Sequence, residues 1–199
     1  MGYSSFGLYE GGKVPLARAG SRLVGMARSA IEDSFSSKGA AAGHSEPWLQ
    51  QAGATFVTLT KGGALRGCIG SLEAARPLGI DVVENALAAA YRDPRFPRLS
   101  PSEWPECAVE VSLLSGAKPI RFADESDLLA QIRAGEDGII VEYGARRATY
   151  LPQVWEAIPD TRMFLEELKR KAGIPSDTRI GRCRVLRYRV MKWTETELQ

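Results

Sequence analysis

Two strand-like segments joined by a pair of glycines constrain the fold of this chain most strongly. Residues 55–60 are rich in β-branched and aromatic side chains, as strands are. Gly62 and Gly63 can supply the positive φ that tight hairpin turns need, and a second strand is expected to start near Ala64. Tight turns join strands in antiparallel fashion, so this segment predicts an antiparallel pair.

A second hairpin and several helices complete the predicted secondary structure. Residues 139–143 and 146–151 flank Gly144-Ala145, a good two-residue hairpin turn. Periodicity and terminal residues predict helices and further strands; the helices cover 17–35, Pro77 to Pro94, 124–134 and 161–172, and the strands cover 108–115 and 181–193. We therefore predict an α+β fold, with a mostly antiparallel sheet and helices packed on it.

Three finer features are expected within these elements. Asp160 or Thr161 should cap the helix that begins near residue 161, and Glu166 should pair with Arg170 one turn later. The alternation of the last strand breaks at Val185-Leu186, which predicts a bulge there.

Composition places the chain among ordinary globular proteins. Its 199 residues suit one domain, and 44% hydrophobic residues are enough for a core. The net charge of +2 argues against strong attraction to nucleic acid or to an anionic membrane. Neither a signal peptide nor an apolar run of about 18 residues, the length of a spanning helix, is found. These features predict a cytoplasmic protein without a membrane segment.

The three cysteines do not form a structural framework. Cys68, Cys107 and Cys183 are widely spaced and lack the spacing of zinc ligands or of a disulfide scaffold. Phosphate-loop and dinucleotide-binding motifs are also missing from the sequence. We therefore expect reduced thiols, no metal and no cofactor.

The segment Leu65-Arg66-Gly67-Cys68-Ile69-Gly70, here called the Cys68 motif, is the leading candidate site. Side chains alternate along a strand, so Arg66, Cys68 and Gly70 are expected on one face, and Leu65, Gly67 and Ile69 on the other. Arg66 and Cys68 would lie roughly 6.5 Å apart along the strand, where the cation favours the thiolate. Gly67 and Gly70 leave room for a ligand or a neighbouring backbone.

Glu110 is the third member of this constellation. It interrupts an apolar strand pattern, so a buried Glu110 would need a partner, and we hypothesise that this partner is Arg66. The pair would orient the cation beside Cys68, which would act as a nucleophile or covalent carrier. Alternatively, the ion pair fixes strand register and Cys68 is a small buried apolar residue. His44 lies in a predicted flexible connection, which argues against a Cys-His dyad.

Three further groups have both functional and structural interpretations. Asp93, Arg95 and Phe96 form a loop that could contact an anion or substrate, or they end a helix while Phe96 fills the core. Thr149, Gln153 and Trp155 could line a pocket, or Trp155 could be the core of a short helix. Basic residues of the last strand could bind RNA or keep a solvated strand face soluble; they are Arg179, Arg182, Arg184, Arg187, Arg189 and Lys192.

The Cys68 motif resembles the signature of the AMMECR family, named after the Alport syndrome, midface hypoplasia and elliptocytosis chromosomal region. Four other segments follow in family order, and together with the motif they cover about residues 20–193; the four are Asp93 to Pro97, Val109 to Ser115, Asp137 to Val141 and Ala148 to Trp155. The resemblance implies a two-lobed single α+β domain over 17–195, with the motif facing a cleft. Residues 1–16 would be a loose arm, and a smaller lobe would lie within 117–155.

The family has no generally established activity, so the resemblance implies a site more than a reaction. We expect a ligand- or partner-binding cleft, with Arg66, Cys68 and Glu110 as catalytic residues if the protein is a cysteine-dependent enzyme. The expected ligand contacts are Gly67, Gly70, Asp93, Arg95, Thr149 and Gln153. Prokaryotic relatives are often encoded beside Memo-type and radical-SAM proteins, which suggests the alternative of a non-catalytic adaptor. An RNA-associated protein is the third hypothesis.

Overall fold

The computed structural model describes residues 16–36 and 46–195. These residues divide into two compact units. The first unit contains the described residues up to Leu114 together with those from Met191 onward, and the second is Ser115–Val190. The predicted arm, up to residue 15, and His44 with its connection lie outside the described residues.

The described residues confirm the α+β class. Their elements follow the chain in the order α1 (Leu16–Phe35), β1 (Ala52–Gly53), β2 (Thr55–Lys61), β3 (Ala64–Gly70), β4 (Arg76–Pro77), α2 (Leu78–Tyr91), β5 (Cys107–Leu114), β6 (Lys118–Pro119), α3 (Glu125–Gln131), β7 (Gly138–Tyr143), β8 (Arg146–Tyr150), α4 (Thr161–Lys171), β9 (Arg184–Tyr188) and β10 (Val190–Thr194). The two main sheets have the strand orders β10-β5-β2-β3 and β6-β9-β7-β8, and β1 pairs with β4. The strand pairs β2–β3, β2–β5, β6–β9, β7–β8 and β7–β9 are antiparallel.

The core of the first unit lies between its sheet and the helices α1 and α2. Alternate residues of β2 and β5 point into this core, among them Val57, Leu59 and Val109. One face of α2 is apolar and buried; it comprises Leu78, Val82, Ala86 and Ala90. Because α1 and α2 cover one face of the sheet, its opposite face can carry polar groups.

A bulge on β3 changes the predicted alternation of the Cys68 motif. Thr58 pairs with Cys68, Leu59 with Gly67, and Thr60 with Leu65, which leaves Arg66 without a partner on β2. The extra residue shifts the alternation by one position. Leu65 therefore shares the Thr58 face with Cys68, and its expected position on the Gly67 face is wrong.

The second unit packs α3 and α4 against its own sheet. Trp155 stacks on Phe164 with ring centres 3.6 Å apart, and both side chains are buried. The Asp160 side chain caps α4 by accepting a hydrogen bond from the Met163 amide at 2.8 Å, as predicted. Arg170 pairs with Glu167, three residues earlier on α4, and not with Glu166 as predicted.

The predicted last strand is two strands in different sheets. β9 pairs with β7, whereas β10 lies next to β5, and the chain passes from one sheet to the other at Arg189. The predicted bulge at Val185-Leu186 is wrong, because Val185 and Leu186 pair in regular register with Val141 and Ile140. The break in alternation reflects burial of both side chains.

In the described part of the chain, no helix combines the length and apolarity required to span a membrane.

Candidate functional site

Cys68 lies on β3, which is the edge strand of the first unit's sheet. Its backbone amide donates a hydrogen bond to Asp93 Oδ2 at 2.8 Å, and its carbonyl accepts one from Arg95 Nη2 at 3.3 Å. An edge strand leaves alternate backbone groups without a strand partner. Asp93 and Arg95 supply those partners at Cys68, so the loop after α2 holds the motif in place.

Asp93 and Arg95 form a closely bonded ion pair. Arg95 donates from Nε to Asp93 Oδ1 at 2.9 Å and from Nη2 to Oδ2 at 2.7 Å. The guanidinium, together with the Cys68 and Arg95 amides, holds the pKa of the buried Asp93 well below its usual range, against the opposing effect of burial. Asp93 therefore stays charged, while the Arg95 side chain is 54% exposed and can meet a ligand.

The Cys68 sulfur has a defined donor. Thr58, directly opposite on β2, donates from Oγ1 to Cys68 Sγ at 3.2 Å. Cys68 is partly exposed, whereas Cys107 and Cys183 are buried and burial raises the pKa of both thiols. Of the three thiols, Cys68 is therefore the one that a reagent in solution can reach.

Arg66 pairs with Glu103 and not with Glu110. It donates from Nε to Glu103 Oε1 at 2.7 Å and from Nη2 to Oε2 at 3.0 Å, and these bonds lower the pKa of Glu103. Glu110 instead pairs with Lys192 at 3.1 Å. The predicted pairing fails because Glu110 is opposite Thr58 on β5, about 10 Å and two strand spacings from β3.

Phe96 lies beside both guanidinium groups. The Arg66 and Arg95 guanidinium carbons are 5.9 Å and 5.5 Å from the centre of its ring. Phe96 is half-buried and is not part of the core cluster, so its predicted role in filling the core is wrong. We call Thr58, Arg66, Cys68, Asp93, Arg95, Phe96 and Glu103 the Cys68 site. The sequence indicates a functional role for five of the seven, with filling of the core as the alternative for Phe96. Thr58 and Glu103 carry no such signal in the sequence.

A buried polar network that our sequence analysis does not predict anchors the end of the motif. The Asp81 carboxylate accepts hydrogen bonds from Thr55, Ser71, Arg76 and Asn85. Ser71 directly follows Gly70, so the network fixes the end of β3. The spacing of Asp81 and Asn85 by four residues, on a helix with an apolar stripe, was the signal that could have revealed it.

Gly67 and Gly70 lie on β3 against the Ala89 backbone and the Phe56 ring, respectively. Thr149, Gln153 and Trp155 belong to the second unit. Thr149 Oγ1 donates to the Ile139 carbonyl at 2.8 Å, and Gln153 is exposed. Trp155 is a core residue, because it is buried and its Nε1 donates to the Asp137 carbonyl at 2.7 Å. A ligand-binding role of Thr149 and Gln153, and the predicted cleft, stay predictions.

The arginines of β9 and its end have acidic partners that the linear sequence does not show. Arg184 pairs with Glu142 at 3.2 Å, and Arg189 pairs with Glu136 at 2.8 Å. Arg187 lies 3.8 Å from the buried Asp137. These arginines are thus bound to carboxylates, whereas the RNA hypothesis needs them to bind phosphates.

Comparison with known proteins identifies the family. The AMMECR1 family model matches residues 24–193. A protein of Methanothermobacter thermautotrophicus is 42% identical over 171 residues, which cover 82% of this chain and 87% of that protein. One from Thermofilum pendens is 35% identical over 198 residues, with 90% and 91% covered. The crystal structure of the uncharacterized protein PH0010 from Pyrococcus horikoshii matches with a TM-score of 0.74 at 34% identity, over 88% of this chain and 91% of that one. The chain therefore belongs to the AMMECR1 family.

Proposed function

We propose that the first unit is a ligand-binding module in which Cys68 acts as a nucleophile toward a small electrophile or a partner's reactive group. The geometry around Cys68 carries this proposal. Its backbone amide is bound by Asp93 and its carbonyl by Arg95, and its sulfur accepts a hydrogen bond from Thr58. Cys68 is also partly exposed, and an accessible thiol is a requirement for a reactive cysteine.

The ion pairs of the site support fixed positioning of the thiol. Arg66 is bound through two atoms to Glu103, and Arg95 through two atoms to Asp93. Two-point arginine–carboxylate bonds define orientation as well as distance. The Cys68 sulfur is therefore presented from a rigid strand edge, as a nucleophile requires.

Glu110 has a different place in this proposal from the one expected. Thr58 lies between Glu110 and Cys68 in the same cross-strand row. The Glu110 carboxylate is bound by Lys192. We therefore assign Glu110 no direct contact with the reacting sulfur.

Acyl transfer from p-nitrophenyl acetate tests the nucleophile. The Cys68 sulfur would form a bond to the acetyl carbon as the ester bond breaks, releasing nitrophenolate and the thiol proton. We expect a burst of nitrophenolate and one acetyl group on the Cys68 peptide. The Cys68→Ser variant should give no burst, and Cys107 and Cys183 serve as internal controls. Equal nitrophenolate release by the wild type and Cys68→Ser, without an adduct on Cys68, would refute the proposal.

The second candidate is an adaptor that binds a Memo-type or radical-SAM protein. The exposed apolar side chains of the first unit favour it, namely Leu65, Leu72 and Ile80. Leu65 is 44% exposed on the same strand and face as Cys68, where a partner could cover it. Mixing the purified proteins in a sedimentation experiment tests this candidate. Complex formation that is lost in Leu65→Ser would support it, and an unchanged sedimentation profile of the mixture would oppose it.

A further inference from the structure

Two guanidinium groups flank the same ring next to the nucleophile. Arg66 precedes Cys68 by two residues, Arg95 donates to the Cys68 carbonyl, and both guanidinium carbons lie within 6 Å of the Phe96 ring centre, at 5.9 Å and 5.5 Å. Each arginine uses its Nε and Nη2 atoms to bind a carboxylate. These bonds leave the Nη1 atom of each side chain outside the ion pair.

Among the described residues, the buried Nη1 atom of Arg66 has no hydrogen-bond partner. The Arg66 side chain is only 9% exposed, so bulk water does not replace the missing acceptor. Leaving a buried donor unpaired costs free energy, and most buried donors are therefore paired. An acceptor that reaches this atom would recover that cost.

Glu103 and Asp93 cancel the charges of Arg66 and Arg95, so net charge does not determine which ligand binds at this site. The ligand is instead selected by the directional N–H groups that the ion pairs leave free. Planar guanidinium donors match the oxygens of carboxylates and phosphates.

We infer that the electrophile taken up by Cys68 carries an oxyanion, a carboxylate or a phosphate ester, that accepts hydrogen bonds from Nη1 of Arg66 and of Arg95. This inference rests on the proposed function of Cys68 as the nucleophile. It narrows the ligand class to small anionic electrophiles and gives the two arginines a role in binding the ligand.

Two alkylating agents that differ only in charge test the inference. Iodoacetate and iodoacetamide both react by the same displacement, in which a carbon–sulfur bond forms, iodide leaves and the thiol proton passes to the buffer. The ratio of their rate constants at Cys68, measured by peptide mass spectrometry, isolates recognition of the carboxylate. The same ratio in urea-denatured protein gives the intrinsic preference of the thiol.

We expect the ratio of the iodoacetate rate to the iodoacetamide rate to be about tenfold higher in the native protein, the scale of one hydrogen bond to a charged group. Arg95→Ala should lower it by about the same factor. Arg66→Lys, which keeps the charge but removes Nη1, should also lower it. Arg98→Ala is the matched control, because it removes a cation of the same loop that lies over Tyr91 instead.

The outcomes separate the inference from the proposal on which it rests. A native ratio equal to the denatured ratio would overturn anion recognition while leaving Cys68 as a nucleophile. A fall in Arg98→Ala as large as that in Arg95→Ala would also overturn it, because general electrostatics would then suffice. If neither reagent modified native Cys68, the proposed function itself would fail. Continued protection of Cys107 and Cys183 shows that each variant is folded.

Discussion

Replacing Gly67 by alanine should destabilise the protein because the helix α2 packs directly on this position. A Cβ atom at Gly67 would lie 3.2 Å from the Ala89 carbonyl carbon and closer still to its oxygen. The obstructing atoms are helix backbone, which cannot rotate away as a side chain can. The strand and the helix must therefore separate, which should lower the free energy of unfolding by about 3 kcal/mol, the upper part of the range for overpacked sites.

Gly25→Ala is the matched control for this substitution. Gly25 is exposed within α1, and a Cβ there would meet nothing within 4 Å. The same chemical change should raise the free energy of unfolding by about 0.5–1 kcal/mol, since glycine is a poor helix former. Gly70→Ala should fall between the two, because its Cβ would meet the Phe56 ring, which is partly exposed and can turn.

Urea unfolding followed by circular dichroism measures all three differences against the wild type. The expected order of stability is Gly25→Ala, wild type, Gly70→Ala and then Gly67→Ala. A Gly67→Ala protein as stable as the wild type would refute the close packing of β3 on α2. The glycine of the motif would then need an explanation other than space for the helix.

Three more substitutions test other parts of the account. Asp93→Asn should lower the free energy of unfolding by about 2 kcal/mol at neutral pH, the scale of hydrogen bonds to a charged group. The Asp93 pKa is lowered in the folded state, so the difference in stability between the wild type and Asp93→Asn should be full above about pH 4, the ordinary pKa of an aspartate. The difference should shrink as the pH falls further. A pH-independent difference would contradict the ion pair. Glu110→Gln should lower the free energy of unfolding by less than about 1 kcal/mol, because a partly exposed ion pair such as that with Lys192 stabilises little. The rate of Cys68 alkylation should not change, and a slower rate would show that Glu110 belongs to the site. Trp155→Ala should lower the free energy of unfolding in urea by about 3–5 kcal/mol, because it removes the stack on Phe164. A decrease below about 1 kcal/mol would contradict the core role of Trp155.

Local patterns were sufficient for the elements that position the site. The two glycines at 62 and 63 do adopt positive φ, and they join β2 to β3 as expected. The apolar stripe of α2 is buried, and the helix ends before Pro94. Each of these features depends on residues close together in sequence, where spacing and turn chemistry determine the structure.

The partners of the charged residues depend on tertiary structure and could not be predicted in the same way. Arg66 binds Glu103, which is 37 residues away, and the sequence contains many acids at comparable separation. The bulge at Arg66 changes which side chains share a face, and no local pattern indicated it. The hypothesis that Arg66 meets Glu110 was reasonable for adjacent strands but failed because β2 lies between β3 and β5.

The same limit explains the two parts of the last predicted strand. Residues 184–194 have continuous strand character, but β9 and β10 belong to different sheets. Strand propensity reports how well a side chain fits a sheet and does not specify which sheet. The acidic partners of Arg184 and Arg189 likewise come from elsewhere in the chain, so counting arginines overstated the free positive charge.

The alkylation rate of Cys68 by iodoacetamide, in native and in urea-denatured protein at neutral pH, tests the central claim most directly. Peptide mass spectrometry resolves Cys68 from the buried Cys107 and Cys183 in the same sample. An accessible, held nucleophile predicts that native Cys68 reacts at least as fast as unfolded Cys68, while the other two thiols react only after denaturation. If Cys68 also reacted only after denaturation, the motif would be a packing element and the proposed site would be wrong.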